Sequence, residues 1–134
     1  MMLAGALLHD IGYHIAHESH QKHALYLIKN SELTGFSEAE RAVIANIARY
    51  HRGPLPKKRH TDFAALNYLD REIVCKLAGI VKLADALDRS HDSRVYDLQY
   101  NLQPGRLLVE LLSEMLGNHG TELIGQAASV VFQT

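Results

Sequence analysis

Residues 69–91 read LDREIVCKLAGIVKLADALDRSH. Within them Leu69, Ile73, Leu77, Ile80, Ala84 and Leu87 recur at intervals of four, four, three, four and three residues. That spacing is one face of an α-helix, which Val74 and Val81 widen. It predicts a long central helix in an α-helical domain, with Cys75 in the core. Asp85 is the exception, because it lies beside Ala84 on the apolar stripe and a carboxylate is almost never buried without a partner.

Upstream, residues 3–11 form an alanine-rich apolar run that Gly12 is expected to end. Ser19 is a candidate N-cap for a helix over 20–30 carrying Ala24, Leu25, Leu27 and Ile28. Ser37-Glu38-Ala39-Glu40 reads as a capping box, with Glu three residues after Ser. It opens a helix bearing Val43, Ile44, Ile47 and Ala48, and ending near His51 ahead of Gly53, Pro54 and Pro56.

Downstream, the hydrophobic period changes to two. Tyr96, Leu98, Tyr100 and Leu102 alternate with polar residues, Pro104-Gly105 follows, and Leu107, Val109 and Leu111 resume the alternation. This predicts a β-hairpin over 95–112. After a turn at 117–120, Leu123, Ile124, Ala127, Val131 and Phe132 suggest a final helix. The expected architecture is therefore mainly α, with one β-hairpin near the C-terminus and a last helix. The expected division is a helical domain over 1–92 and an appended hairpin and helix over 93–134 packing on it.

Composition sets the class. The chain has 134 residues, 47% apolar and 22% charged, with a net charge of −1. That suits a globular domain able to bury a core. No apolar run approaches the ~18 residues of a membrane span, and MMLAGALL lacks the basic flank of a signal peptide. One cysteine excludes an internal disulfide framework and points to a reducing, cytoplasmic setting. Low aromatic content (7%) and the absence of net positive charge disfavour a nucleic-acid binder.

The chain holds 9 histidines, five of them at 9, 14, 17, 20 and 23. The last four are three apart, yet at ~100° per residue they cannot all share one helical face, so a subset must be chosen. His9 and Asp10 close an otherwise apolar run. An aspartate there needs a partner, and a metal supplies one, since imidazole and carboxylate suit Mg²⁺-, Mn²⁺- or Fe-type ions. Asp85 and Asp88 raise the same question at the end of the long helix. A backbone carbonyl for His9 and a cap or an Arg89 pair for Asp10 are the alternatives. His60, His91 and His119 are expected in solvent.

The ordered set HDIG, KHALYLI, RYHR and LADALDRSH resembles the HD superfamily of metal-dependent phosphohydrolases. More closely, residues 9–52 resemble the C-terminal helical region of the exopolyphosphatase and guanosine pentaphosphate phosphatase family. The resemblance covers most of 3–92 and continues more loosely to the tail. It implies that His9 and Asp10 are the HD pair, that Asp85 is the late aspartate, and that His23 and His51 are the additional histidines of a two-metal site. The metal would be Mn, Mg, Fe or Zn. It also implies a further histidine upstream of His9, and many HD hydrolases have Lys where Tyr13 stands.

Between Arg41 and Thr61 there is no acidic residue, while Arg41, Arg49, Arg52, Lys57, Lys58 and Arg59 are all cationic. Such a field suits a polyanion. Arg49 and Arg52 flank His51, and Arg89 follows the Asp85–Asp88 pair, so all three, with Lys57, Lys58 and Arg59, are candidate phosphate contacts.

Two functions follow. In the first, the chain is a helical module that binds polyphosphate or a phosphorylated nucleotide and supports a homodimer. The resemblance then implies that hydrolysis belongs to a separate N-terminal actin-like domain. In the second, it is a metal-dependent phosphohydrolase in its own right, using His9, Asp10 and Asp85.

Overall fold

A computed structural model of the chain describes residues 1–88, 95–103, 106–115 and 124–133. The short apolar run forms α1 (Met2–Leu8), followed by a 3₁₀ turn over Ile11–His14. Gly12 does not end the first helix. It lies inside the turn, where the backbone of the next helix approaches so closely that a Cβ would fall 1.8 Å from the His20 carbonyl oxygen.

Helix α2 (His20–Asn30) has Ser19 at its N-cap as expected, but the residue is left-handed at φ 55° and its side chain makes no cap hydrogen bond. Helix α3 (Glu38–Tyr50) opens with the expected capping box. The Ser37 N–H donates to Glu40 Oε2 at 2.9 Å, and the Glu40 N–H to Ser37 Oγ at 3.3 Å. A short α4 (Thr61–Ala64) precedes α5 (Tyr68–Leu87), where Asn67 Oδ1 accepts from the Asp70 N–H at 2.9 Å.

The central helix is α3, not α5. Val43, Ile44, Ala45, Asn46, Ile47, Ala48 and Tyr50 are all buried on it. One side meets Ala24 and Ile28 of α2. The other meets Phe63, Leu66 and the Val74, Ala78 and Val81 edge of α5. Parts of the anticipated α5 stripe are therefore turned outward: Leu69 is 70% and Ile80 53% exposed, and Cys75 is exposed too, while Ile73 and Leu77 are only partly buried against the core. Alanine and valine allow close approach to Val43, Ile47 and Tyr50, so the smaller residues of α5 face α3. On α1, Gly5 plays a similar part, because a Cβ there would stand 2.7 Å from Ile47 Cγ2.

The described chain forms two compact units, Met1–Ala86 and Leu87–Thr134, a division ahead of the boundary expected after Asp92. The second holds an antiparallel sheet in the order β1 (Val95–Gln103), β2 (Arg106–Met115) and β3 (Ile124–Gln133). The hairpin is present, with Leu98 opposite Leu111, Tyr100 opposite Val109 and Gln103 opposite Arg106. The final helix is not. Residues 124–133 are a strand, Val109 pairing with Val130 and Leu107 with Phe132. Val130, Val131 and Phe132 are β-branched or aromatic and favour strand over helix. A two-stranded hairpin also leaves an open edge for them to satisfy. The Pro104-Gly105 turn, Arg89, His91, the 117–120 turn and His119 lie outside the described residues. Among the described residues no helix is long and apolar enough to cross a membrane.

Candidate metal centre

The ends of four helices place the candidate ligands. His9 follows α1 and Asp10 follows it; His20 opens α2, His51 follows α3, and Asp85 is in the last turn of α5. His9 Nε2 is 3.2 Å from Asp10 Oδ2 and 3.9 Å from Asp85 Oδ1. Asp10 Oδ1 is 3.3 Å from His20 Nε2 and 3.5 Å from His51 Nε2. Ligand atoms of His9, Asp10 and His51 all lie within 4.8 Å of one another, a grouping able to hold a metal ion.

The protons of the rings can be assigned from their partners. His9 Nδ1 meets the Ala6 carbonyl at 2.6 Å, His51 Nδ1 the Ala48 carbonyl at 2.6 Å and His20 Nδ1 the His17 carbonyl at 3.2 Å. A carbonyl only accepts, so each Nδ1 donates, and each neutral ring presents its Nε2 lone pair to the Asp10 carboxylate. Nε2 of His20 and of His51 are only 3.2 Å apart. Asp10 Oδ1 is buried and makes no hydrogen bond. With the rings neutral, three Nε2 acceptors and a carboxylate converge, an arrangement that a cation relieves. The C-terminal ends of α1, α3 and α5 add negative partial charge to the same place. The donor set of imidazoles and carboxylates fits a first-row divalent ion.

His20 is the residue that sequence reasoning passed over. His23, chosen instead, is one helical turn further along α2 and does not join the grouping. Four histidines at equal spacing give no local reason to prefer one. The signal was Gly12, whose missing side chain lets the 3₁₀ turn rest on the start of α2 and brings His20 to Asp10. Tyr13 also belongs here: its ring stacks on His20 at 4.0 Å and 13°, and its hydroxyl accepts from Arg52 Nη1 at 3.1 Å. Arg52 is therefore beside the cluster. Arg49 is not, and lies instead over the Tyr50 ring. Lys57, Lys58 and Arg59 are exposed on the loop that follows. His60, expected in solvent, is partly buried, and its Nδ1 is 2.8 Å from the Tyr50 hydroxyl.

His51 is fully buried. Burial is the largest influence on it and lowers its pKa from the ordinary 6.5; the Ala48 hydrogen bond and the Asp10 and Asp85 carboxylates pull upward and are outweighed. Unfolded protein therefore takes up this proton at higher pH than folded protein does. The stability contributed by neutral His51 is complete above about pH 6.5 and is lost as pH falls through the window below it. In chelator, the urea midpoint is expected to drop between about pH 7.5 and about pH 5.5, and His51→Gln to remove that part of the slope. An identical pH profile for the variant would contradict the burial argument.

Residues 1–119 match the family described as Ppx/GppA phosphatase, domain III. A guanosine-5'-triphosphate,3'-diphosphate pyrophosphatase of Pseudoalteromonas translucida is 29% identical over 120 residues, which is 89% of this chain and 23% of that protein. A protein of the same name from Pseudoalteromonas atlantica is 33% identical over 52 residues, 39% of this chain and 10% of that protein. The chain thus spans about a quarter, or less, of the length of these relatives. The match takes in α1 to α5 and so every residue of the histidine and aspartate cluster, and the chain belongs to the Ppx/GppA phosphatase family through its domain III.

Proposed function

We propose that the helical unit is an HD-type module that holds a divalent cation at His9, Asp10, His51 and Asp85, with His20 beside it, and through that cation binds the phosphates of a polyphosphate-like or phosphorylated-nucleotide anion. The observation carrying this reading is the convergence of the His20 and His51 Nε2 atoms on the buried Asp10 oxygen. A bound divalent ion would supply Lewis-acid character and acidify a coordinated water. The chain's own residues do the rest. Asp10, Asp85 and the His9 and His51 imidazoles fix the cation, while Arg52, held by Tyr13, stands ready to fork two phosphate oxygens.

Binding without hydrolysis is the main reading. The two relatives named for cleaving a phosphorylated nucleotide are much longer proteins, of which this chain matches 23% and 10%, and on this reading the hydrolytic step belongs to a separate domain. An independent metal-dependent phosphohydrolase using His9, Asp10 and Asp85 is the second reading, favoured by Asp85 lying within reach of His9.

Protein purified without chelator and then dialysed against Mn²⁺ is expected to keep about one equivalent by elemental analysis. His51→Ala should weaken retention about 100-fold or more, since even outer partners of a metal site cost 10–100-fold, while helicity is kept. Failure of the wild type to hold any first-row divalent ion would sink both readings. Steady release of phosphate from tripolyphosphate by the loaded wild type, absent in Asp85→Asn, would select the second.

A further inference from the structure

Tyr13 is held in place on three sides. Its backbone N–H donates to the Asp10 carbonyl at 3.0 Å, its hydroxyl accepts from Arg52 Nη1 at 3.1 Å, and its ring lies on the His20 ring at 4.0 Å and 13°. Gly12, the residue before it, is pressed against the start of α2 and leaves the turn no room to shift. A ring fixed in this way loses little freedom when a ligand packs on it, and such a contact keeps most of its binding energy.

The second face of the ring is open. The Tyr13–His20, Tyr13–His17 and His17–His20 centroids are 4.0, 4.9 and 6.4 Å apart, lengths that close a triangle with a right angle at Tyr13. His20 is on a face, so His17, tilted at 53°, is at the edge, and neither histidine covers the face opposite His20. Tyr13 is 38% exposed even though its ring is stacked and its hydroxyl engaged, and Ile11 and Ile15, two residues to either side, are exposed as well. Apolar and π surface therefore borders the cluster.

Such a surface offers nothing to an inorganic phosphate. It suits a planar heteroaromatic ring, because every nucleobase has a π-face to lay on an aromatic side chain. His20 connects the two places: one face carries Tyr13, and its Nε2 is 3.3 Å from Asp10 Oδ1. A base on the open face of Tyr13 is one stacked layer beyond a ring that touches the cluster, within reach of the sugar and phosphate chain of a single nucleotide. A purine, with two fused rings, covers more of that face than a pyrimidine.

We propose that Tyr13 is a base-stacking platform, and that the ligand of this site is a purine nucleoside polyphosphate in preference to an inorganic polyphosphate. The placing of its phosphates on the cation rests on the function proposed above. The stacking itself needs neither metal nor phosphate.

Titration of the full Mn²⁺-loaded chain with ATP and with ribose 5-triphosphate, which lacks the base, reads the platform. ATP should bind about tenfold or more tightly, the worth of one base stacked on an aromatic side chain. Tyr13→Leu should erase that ratio while ribose 5-triphosphate binds as before, and Tyr13→Phe, which keeps the ring and loses the hydroxyl, should retain it. Equal affinity for the two ligands in the wild type, or an unchanged ratio in Tyr13→Leu, would overturn the proposal and leave the metal reading standing. Loss of both ligands in Tyr13→Leu would also overturn it, because the ring would then serve only to support His20. Saturation-transfer NMR of the full chain with adenosine, in excess chelator, separates the two readings. Transfer to the purine protons, absent in Tyr13→Leu, is expected whether or not the chain holds a metal. If the chain retains no divalent ion, this measurement alone decides, and no transfer from the wild type would overturn the proposal.

Discussion

Gly12→Ala is expected to disable the helical unit. The added methyl would sit 1.8 Å from the His20 carbonyl oxygen and 2.7 Å from the Ala24 nitrogen. Both are backbone atoms inside α2, so no side-chain rotation can make room, and the 3₁₀ turn must move off the helix. Overpacking a tight site typically costs 1–3 kcal/mol, and with a rigid neighbour the cost here should reach about 3 kcal/mol or more. That is a large part of the ~5–15 kcal/mol that usually holds a domain together. Function should fall with stability, because the same displacement carries Asp10 away from His20 and His51. Gly79→Ala is the matched control. It lies in α5 with nothing within 4 Å of the new methyl, so better helix propensity should stabilise by about 0.5–1 kcal/mol. Urea unfolding of the two variants beside the wild type decides the matter. A Gly12→Ala protein with an unchanged midpoint would show that the turn does not rest on α2 as described.

That contact also marks the limit of what the sequence could reveal. Features set within a few residues were legible. The Ser37–Glu40 box was readable because both of its hydrogen bonds close inside one turn, and α2, α3 and α5 begin and end within a residue or so of their expected limits. Features set by distant partners were not. Apolar residues at 69, 73, 74, 77, 80, 81, 84 and 87 cover more than one stripe of α5. Only the shape of α3 decides that Val74, Ala78 and Val81 go inward. The same holds for the tail, where Ile124, Ala127 and Val131 fit a helical spacing but the open edge of β2 recruits the segment as a strand.

The candidate site divides along the same line. His9, Asp10, His51 and Asp85 are at helix ends, where a polar residue after an apolar run stands out. His20 is selected by a backbone approach that no spacing rule encodes. The cations between Arg41 and Thr61 read as a single field, and the structure separates them. Arg52 stands by Tyr13 at the cluster, whereas Arg49 faces Tyr50 around the helix. Charge counting finds such a field but cannot say how many sites it serves, because Arg49 is held on α3 while Arg52 lies past its end, where the chain has left the helix.

Asp10→Asn should separate the stability of this site from its affinity, in opposite directions. In the wild type, Asp10 Oδ1 faces two Nε2 lone pairs, at 3.3 and 3.5 Å, and hydrogen-bonds to neither. An amide of the same shape brings N–H groups to that position. One of them can donate to His20 or His51, replacing a repulsion with a hydrogen bond worth about 0.5–1.5 kcal/mol. In chelator the variant should therefore unfold at higher urea than the wild type. With Mn²⁺ the order should reverse. A neutral amide is a poor ligand for a divalent ion, so the variant gains little, whereas the wild type at a metal concentration of 100 Kd gains about 2.7 kcal/mol. The diagnostic is the crossing of the two urea midpoints as metal is added. A variant weaker than the wild type in chelator would mean that the Asp10 carboxylate is already satisfied by protons on the rings. The cluster would then be an ordinary polar core with no need of a cation.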